Sequence, residues 1–227
     1  MGQPGADLIQ MARAEGRHLL EPEAALLCQA FGLPLPAWRW VHDQAQALEA
    51  AADLKSPLVL KLVSRDILHK SDVGGVKLGV TKGEMTAAAF AELASIAQAR
   101  KARFDGVLVC QQAPAGLELV AGMVQDPEFG PALMFGLGGT AVELFGDVAF
   151  GSVPVTPARA RHMIASTRAG KLLSGYRGAC LDLEAITAVL TGLSRLVEAH
   201  PEIQEIDLNP VRAYQSGALI LDIRILL

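Results

Sequence analysis

The residues of this sequence best suited to chemistry stand in one run, from Lys61 to Gly75. Lys61 interrupts the apolar stretch Leu58 to Val63, and a buried ammonium is costly unless an anion meets it. A lysine whose stem follows the strand while its head reaches water is the alternative, and this stretch alone leaves both open. Ser64, Asp66, His69, Lys70, Ser71 and Asp72 then crowd into one loop that ends in Gly74 and Gly75. Adjacent glycines let the backbone approach a ligand and can aim N–H groups at phosphate oxygens. A neutral imidazole is a nucleophile toward phosphorus, which makes His69 a candidate phosphoryl carrier. By spacing alone, a surface histidine beside a solvated Lys70 is the commoner arrangement. The loop lacks the Gly-Lys-Ser/Thr ending of a Walker loop.

A second cluster is Glu205-Ile206-Asp207-Leu208-Asn209-Pro210. Residues two apart on a strand share a face, so Glu205, Asp207 and Asn209 project together. Pro210 cannot donate to a ladder, which predicts that the strand ends at Asn209. Oxygen ligands at a strand end suit Mg²⁺, and Asp222, a lone acid in Leu219 to Ile223, could join them across a hairpin. An Asn-Pro turn with solvated acids is the plainer alternative. Phe135-Gly136-Leu137-Gly138-Gly139 could cradle phosphate or simply pack tightly. Glu118 is a possible nucleotide contact, and Arg177 in Gly175 to Gly178 a possible oxyanion binder.

These residues need elements to hold them. Pro22 just inside a helix start and Gly32 at its end predict a helix over 21–31. Further helices are expected over 43–53, 85–103, 157–167 and 183–200. In the last, Leu183, Ile186, Leu190, Leu193 and Val197 form one stripe. Strands are expected over 58–63, 76–80, 107–112, 117–123, 132–137, 203–208 and 219–225, with Asp126-Pro127 turning the central pair. This alternation predicts an α+β (mixed α and β) chain of two lobes. The expected division is 1–108, carrying Lys61 and the His69 loop, and 109–227, carrying the metal-binding strands.

The chain has 227 residues, 51% hydrophobic and 19% charged, with a net charge of −4. That balance excludes disorder and gives no electrostatic case for a nucleic-acid partner. No apolar run is long enough to span a membrane. No basic segment leading an apolar run opens the chain, so no secretory signal is expected. Cys28, Cys110 and Cys180 are odd in number and widely spaced, as expected of free thiols in a reducing, cytoplasmic setting.

Taken in order, four segments resemble the ATP-grasp domain of NDP-forming acyl-CoA synthetases, the ADP-forming acetyl-CoA synthetase group. They are Asp66 to Val76, Leu117 to Gly139, Gly175 to Gly178 and Glu205 to Pro210. The resemblance covers nearly the whole chain and implies a two-lobed ATP-grasp fold. It implies that His69 is transiently phosphorylated, that Lys61 contacts ATP phosphates, and that Lys70, Ser71, Gly74 and Gly75 form the phosphate loop. Asp207, Asn209 and Asp222 would hold Mg²⁺, and adenine would lie against Val109, Cys110, Gln111 and Gln112, near Glu118. The implied reaction joins acid, CoA and ATP into acyl-CoA, ADP and phosphate. Its other half would sit on a CoA-binding (alpha) subunit or fused domain with a phosphohistidine of its own, because no dinucleotide-type Gly-x-Gly-x-x-Gly fold is present here.

Two positions depart from the family pattern: Cys110 replaces a usual glutamine, and Gly151 a usual arginine. A regulatory, non-catalytic ATP-grasp-like module of a fused protein acetyltransferase is the alternative reading, which retention of Lys61, His69 and Asn209 disfavours. A carboxylate–amine ligase of the same fold would need no histidine loop.

Overall fold

The computed structural model describes residues 5–138, 146–176 and 178–227. Gly139 of the glycine-rich run and Arg177 therefore lie outside the described residues. The chain forms two compact units, one of Pro36–Pro114 and one of Met1–Leu35 with Ala115–Leu227.

The first unit is an antiparallel sheet with two helices on one face. Strands β1 (Trp38–Val41), β2 (Leu58–Val63), β3 (Val76–Val80) and β4 (Gly106–Gln111) are ordered β1-β4-β2-β3. Helices α3 (Gln44–Asp53) and α4 (Glu84–Ala99) pack on this sheet. Strand parity decides which side chains meet them. Leu58, Leu60, Leu62, Val107 and Val109 enter the core with Ala47, Ala51, Phe90 and Leu93. Val59, Lys61 and Val63 take the other face. Asp43 caps α3 by accepting from the Gln46 N–H at 2.8 Å, the N-cap role that short acidic side chains favour.

The second unit is built on strands β5 (Leu117–Asp126), β6 (Gly130–Leu137), β7 (Val148–Ser152), β8 (Glu205–Ala213), β9 (Ala218–Ile220) and β10 (Ile223–Leu226). Their order is β10-β8-β5-β6-β7, with β9 also paired to β8. The expected turn joins β5 and β6: Asp126 Oδ1 accepts from the N–H groups of Glu128 and Phe129, each at 2.8 Å. Helices α5 (Pro157–Ala165), α6 (Arg168–Leu173) and α7 (Leu183–Ala199) cover one face. Ile186, Leu190, Leu193 and Val197 of α7 are buried along the stripe its period gives.

Helices α1 (Ala6–Ala14) and α2 (Glu21–Ala30) belong to this second unit. The connection after α2 is tied to it directly. The Ile220 N–H donates to Pro34 O at 2.9 Å, and Gly192 leaves room for Leu33, whose Cδ2 would lie 3.0 Å from an added Cβ. The expected boundary at 108/109 falls inside β4, and the units part after Pro114. A strand hydrogen-bonded along its length to two neighbours resists being split, so the change of unit waits for the proline-ended connection. Among the described residues, no helix is long and apolar enough to cross a membrane.

Candidate functional site

The sequence expectations fall on both units, and each unit is built differently around them. In the first, Lys61 lies on the second of four strands, opposite Leu108 on β4 and Val76 on β3. Only 7% of it is exposed. Its face also carries Val59 and Cys110, which are cross-strand partners. Lys61 is therefore a cation on the sheet face that α3 and α4 leave free.

Val109 faces the helix-side core and is fully buried, so its side chain is unavailable to any ligand and only its backbone could serve one. A nucleotide lying against the run Val109 to Gln112 would therefore meet main chain, not side chain, at Val109. Gln112 is also occupied, because its Oε1 accepts from the Gly79 N–H at 2.7 Å. Gln111 donates its N–H to Ala37 O at 2.8 Å. Cys110 alone of the four combines a buried side chain with the Lys61 face.

The loop after β2 is closed by its own backbone. Gly75 N–H donates to Lys70 O at 2.7 Å and Gly74 N–H to Ser71 O at 3.1 Å, while Leu62 N–H reaches Gly75 O at 2.8 Å. Gly74 has φ 72, a left-handed conformation that glycine adopts without cost. A Cβ on Gly75 would lie 2.8 Å from Lys70 O. These glycines therefore shape the turn, and in this conformation their N–H groups are spent inside it instead of being aimed outward. His69 and Ser71 are exposed and Lys70 half-buried. The loop is anchored at its base, where Asp66 Oδ2 accepts from the Arg103 N–H at 2.7 Å and Asp105 Oδ2 from the Arg65 N–H at 2.9 Å.

In the second unit, one face of the sheet packs on helices and the other collects polar residues. Glu205 and Asp207 lie on the latter with Ile206 and Leu208 buried behind them, as the period of two requires. The strand does not end at Asn209. It continues to Ala213, and the extra residue is absorbed where Leu119 pairs with Val211 but Ala121 with Leu208. Pro210, which has no N–H to give, sits in that bulge. The bulge brings Asn209 beside Asp222, whose carbonyl accepts the Asn209 N–H at 3.3 Å. Asp222 occupies the gap between β9 and β10.

Two arginines that the motif reading passed over complete this face. Arg224, paired in register with Asp207, donates to Glu205 at 2.7 Å and stands 3.8 Å from Asp207. Arg212 binds Glu118 at 2.7 Å across the strand pair. A local signal existed only for Arg224, two residues after Asp222; Arg212 follows Asp207 by five, an odd step that the bulge at Pro210 returns to the same face. Cross-strand register, which no local pattern supplies, was needed to read it. Among the described residues, no group of three or more His, Cys, Asp or Glu could hold a metal unaided. Asp207, Asn209 and Asp222 together offer hard oxygen donors of the kind Mg²⁺ prefers when other oxygens complete its shell.

Gly151 lies on β7, and its missing Cβ is needed: one added there would meet Met163 Sδ at 2.5 Å and come within 3.5 Å of Arg159 Nε. Arg159 donates from there to Ser152 Oγ at 3.0 Å. The departure at this position is thus accommodated by packing from α5.

A model of the ATP-grasp domain matches residues 10–227. The β subunit of the ADP-forming acetate–CoA ligase I of Pyrococcus furiosus is 38% identical over 224 residues, which cover 97% of each chain. The ADP-forming acetate–CoA ligase I of Archaeoglobus fulgidus is 38% identical over 223 residues, 97% of this chain but 33% of its own. Among solved structures, the dinucleotide-forming acetyl-coenzyme A synthetase 1 of Ca. Korarchaeum cryptofilum, in complex with coenzyme A and Mg-AMPPCP, matches with TM-score 0.87 and 40% identity. The match covers 98% of this chain and 99% of that one, whose phosphohistidine segment points towards its nucleotide-binding site.

Proposed function

The chain belongs to the ATP-grasp family and, within it, is the ATP-grasp half of an ADP-forming acyl-CoA synthetase; from that premise we propose that His69 carries phosphoryl groups between nucleotide and a partner. The carrying observation is the exposed His69 at the crest of a loop anchored at its base to the turn after α4 and closed by Gly74 and Gly75. The similarity to a structure that has a phosphohistidine segment supports the same reading.

In the forward half-reaction, a ring nitrogen of His69 forms a bond to the γ-phosphorus. The bond from that phosphorus to the bridging oxygen breaks, and ADP leaves with the electron pair. The second ring nitrogen keeps its proton. Lys61, buried on the sheet face opposite α3 and α4, is suited to hold the phosphates, because a fixed cation in a poorly solvated place stabilises developing charge without reorganising. Asp207, Asn209 and Asp222 would hold Mg²⁺, which when bound offsets phosphate charge. Arg224, tied to Glu205, keeps the neighbouring acids from repelling one another. The unit Pro36–Pro114 then serves as the lobe of Lys61 and His69, and the other unit as the metal lobe.

The P. furiosus relative is a separate β subunit and the A. fulgidus relative a longer chain. By analogy, the CoA-binding half here is a second subunit or a fused domain, with its own phosphohistidine. Dividing the transfer suits sites too far apart for direct attack, since contact of reacting atoms supplies roughly 7–11 kcal/mol.

The test is incubation with Mg·[γ-³²P]ATP. Acid-labile, base-stable label is expected on the parent chain and none on His69→Ala. An unlabelled parent that still binds ATP would refute the carrier role and favour the regulatory alternative.

A further inference from the structure

A groove of about 380 Å³ opens beside the loop, lined by His69, Asp66 and Asp72 on one side and by Arg100 and Lys101 on the other. The two cations come from the turn that ends α4, and that turn is unusual. Lys101 N–H donates to Gln98 O and Ala102 N–H to Ala97 O, each at 3.0 Å, the paired bonds of a Schellman ending. Lys101 is the left-handed residue of that ending, with φ 54, and among the described residues no other non-glycine has positive φ. Glycine ordinarily takes this place because a side chain there crowds the backbone. A lysine held in a conformation that costs free energy directs attention to what its side chain does.

The turn is also fixed relative to His69. Arg103 N–H is bonded to Asp66 and Arg65 N–H to Asp105, while Arg65 and Arg103 both pair with the Asp105 carboxylate. The cations therefore remain on the wall facing the histidine. Asp66 is committed to the Arg103 amide, which leaves Asp72 as the lining acid without such a bond to that turn.

We propose that this groove is a phosphoryl cradle, in which Arg100 and Lys101 act as positioning residues that hold phosphorylated His69 between its two transfers. The inference rests on the carrier role of His69. A phosphoryl group brings close to two negative charges, and charge-assisted bonds from guanidinium and ammonium are the strong ones. Occupying the cradle keeps the group from attack by water while the loop is engaged with neither nucleotide nor partner.

The experiment follows the lifetime of label on His69 in the full chain after nucleotide is removed by gel filtration. Arg100→Gln and Lys101→Gly are each expected to lose label about threefold faster or more, the scale of exposed charge pairs. Lys101→Arg is expected to keep the parental lifetime. Lys101→Gly should at the same time melt higher than the parent, because it relieves the left-handed residue. A merely structural role would give that stabilisation with an unchanged lifetime, and this result overturns the cradle. Phosphoramidate, which phosphorylates imidazole without nucleotide, provides a second route to the labelled protein. If it labels His69 and ATP does not, the nucleotide half-reaction fails while the cradle is still measured. If neither reagent labels His69, both readings fall.

Discussion

Gly75→Ala tests whether closure of the histidine loop depends on a close backbone contact. The added Cβ would lie 2.8 Å from Lys70 O, 3.2 Å from Lys70 Cβ and 3.4 Å from Leu62 Cβ. Carbon–oxygen contacts between backbones usually sit at about 3.3–3.6 Å, so the Lys70 carbonyl must retreat by roughly half an ångström. That oxygen accepts the Gly75 N–H at 2.7 Å, and moving it weakens the bond. Overpacking costs about 1–3 kcal/mol and a weakened hydrogen bond about 0.5–1.5 kcal/mol. A loss of about 2–3 kcal/mol is therefore expected. Trp38 and Trp40 both lie on β1 of the same unit, so their fluorescence reads this unit during urea unfolding. The midpoint should fall by about 1 M or more, given slopes of about 1–3 kcal/mol per molar urea. A Gly75→Ala midpoint equal to the parent's would show that the loop relaxes freely, and the argument for glycine there would be wrong.

Lys61→Met keeps most of the unbranched stem of the buried side chain and removes its charge. His69 labelling should fall about 100-fold or more, the scale of losing one preorganised electrostatic group, and parental labelling by folded variant protein would remove Lys61 from phosphate contact. Asp182 accepts N–H groups from Gly217 at 2.8 Å and Ala185 at 2.9 Å, and these bonds, Gly217's first, hold its carboxyl below the ordinary 3.8. Its contribution is thus complete above that value and is lost as pH falls through the lowered one. The melting difference between parent and Asp182→Ala should be flat at neutral pH and shrink only in strong acid; a difference that vanishes already near pH 6 would contradict this. Burial pushes the Cys28 thiol up to about 12, Cys110 is buried and Cys180 exposed. A thiol reagent at pH 8 should consume Cys180 in the native protein and all three cysteines after denaturation, and rapid native labelling of Cys28 would refute the burial.

Legibility in the sequence followed the range of the interaction concerned. Strands 58–63 and 76–80 were readable to the residue because apolar runs and flanking turn residues are local signals. Strand β1 and helices α1 and α6 were not read. Trp38-Arg39-Trp40-Val41 is too short to show a period, and α6 follows α5 so closely that one helix seemed to end there. The notion that Pro210 ends its strand was sound locally but failed, because a bulge against β5 gives proline a place without breaking the ladder.

By itself, the sequence determined which chemistry is on offer: a lysine in a buried strand, a histidine loop ending in glycines, and alternate acids before Asn209. Residue type and spacing carry that information. Tertiary structure decided how those groups are used. It turned Val109 into the core and spent the Gly74 and Gly75 amides on closing the loop. It also paired Arg224 with the acids of β8 and set Arg100 and Lys101 across a groove from His69. Each of these outcomes depends on strand register or on the meeting of residues distant in the chain, and such contacts leave no periodic trace in the sequence.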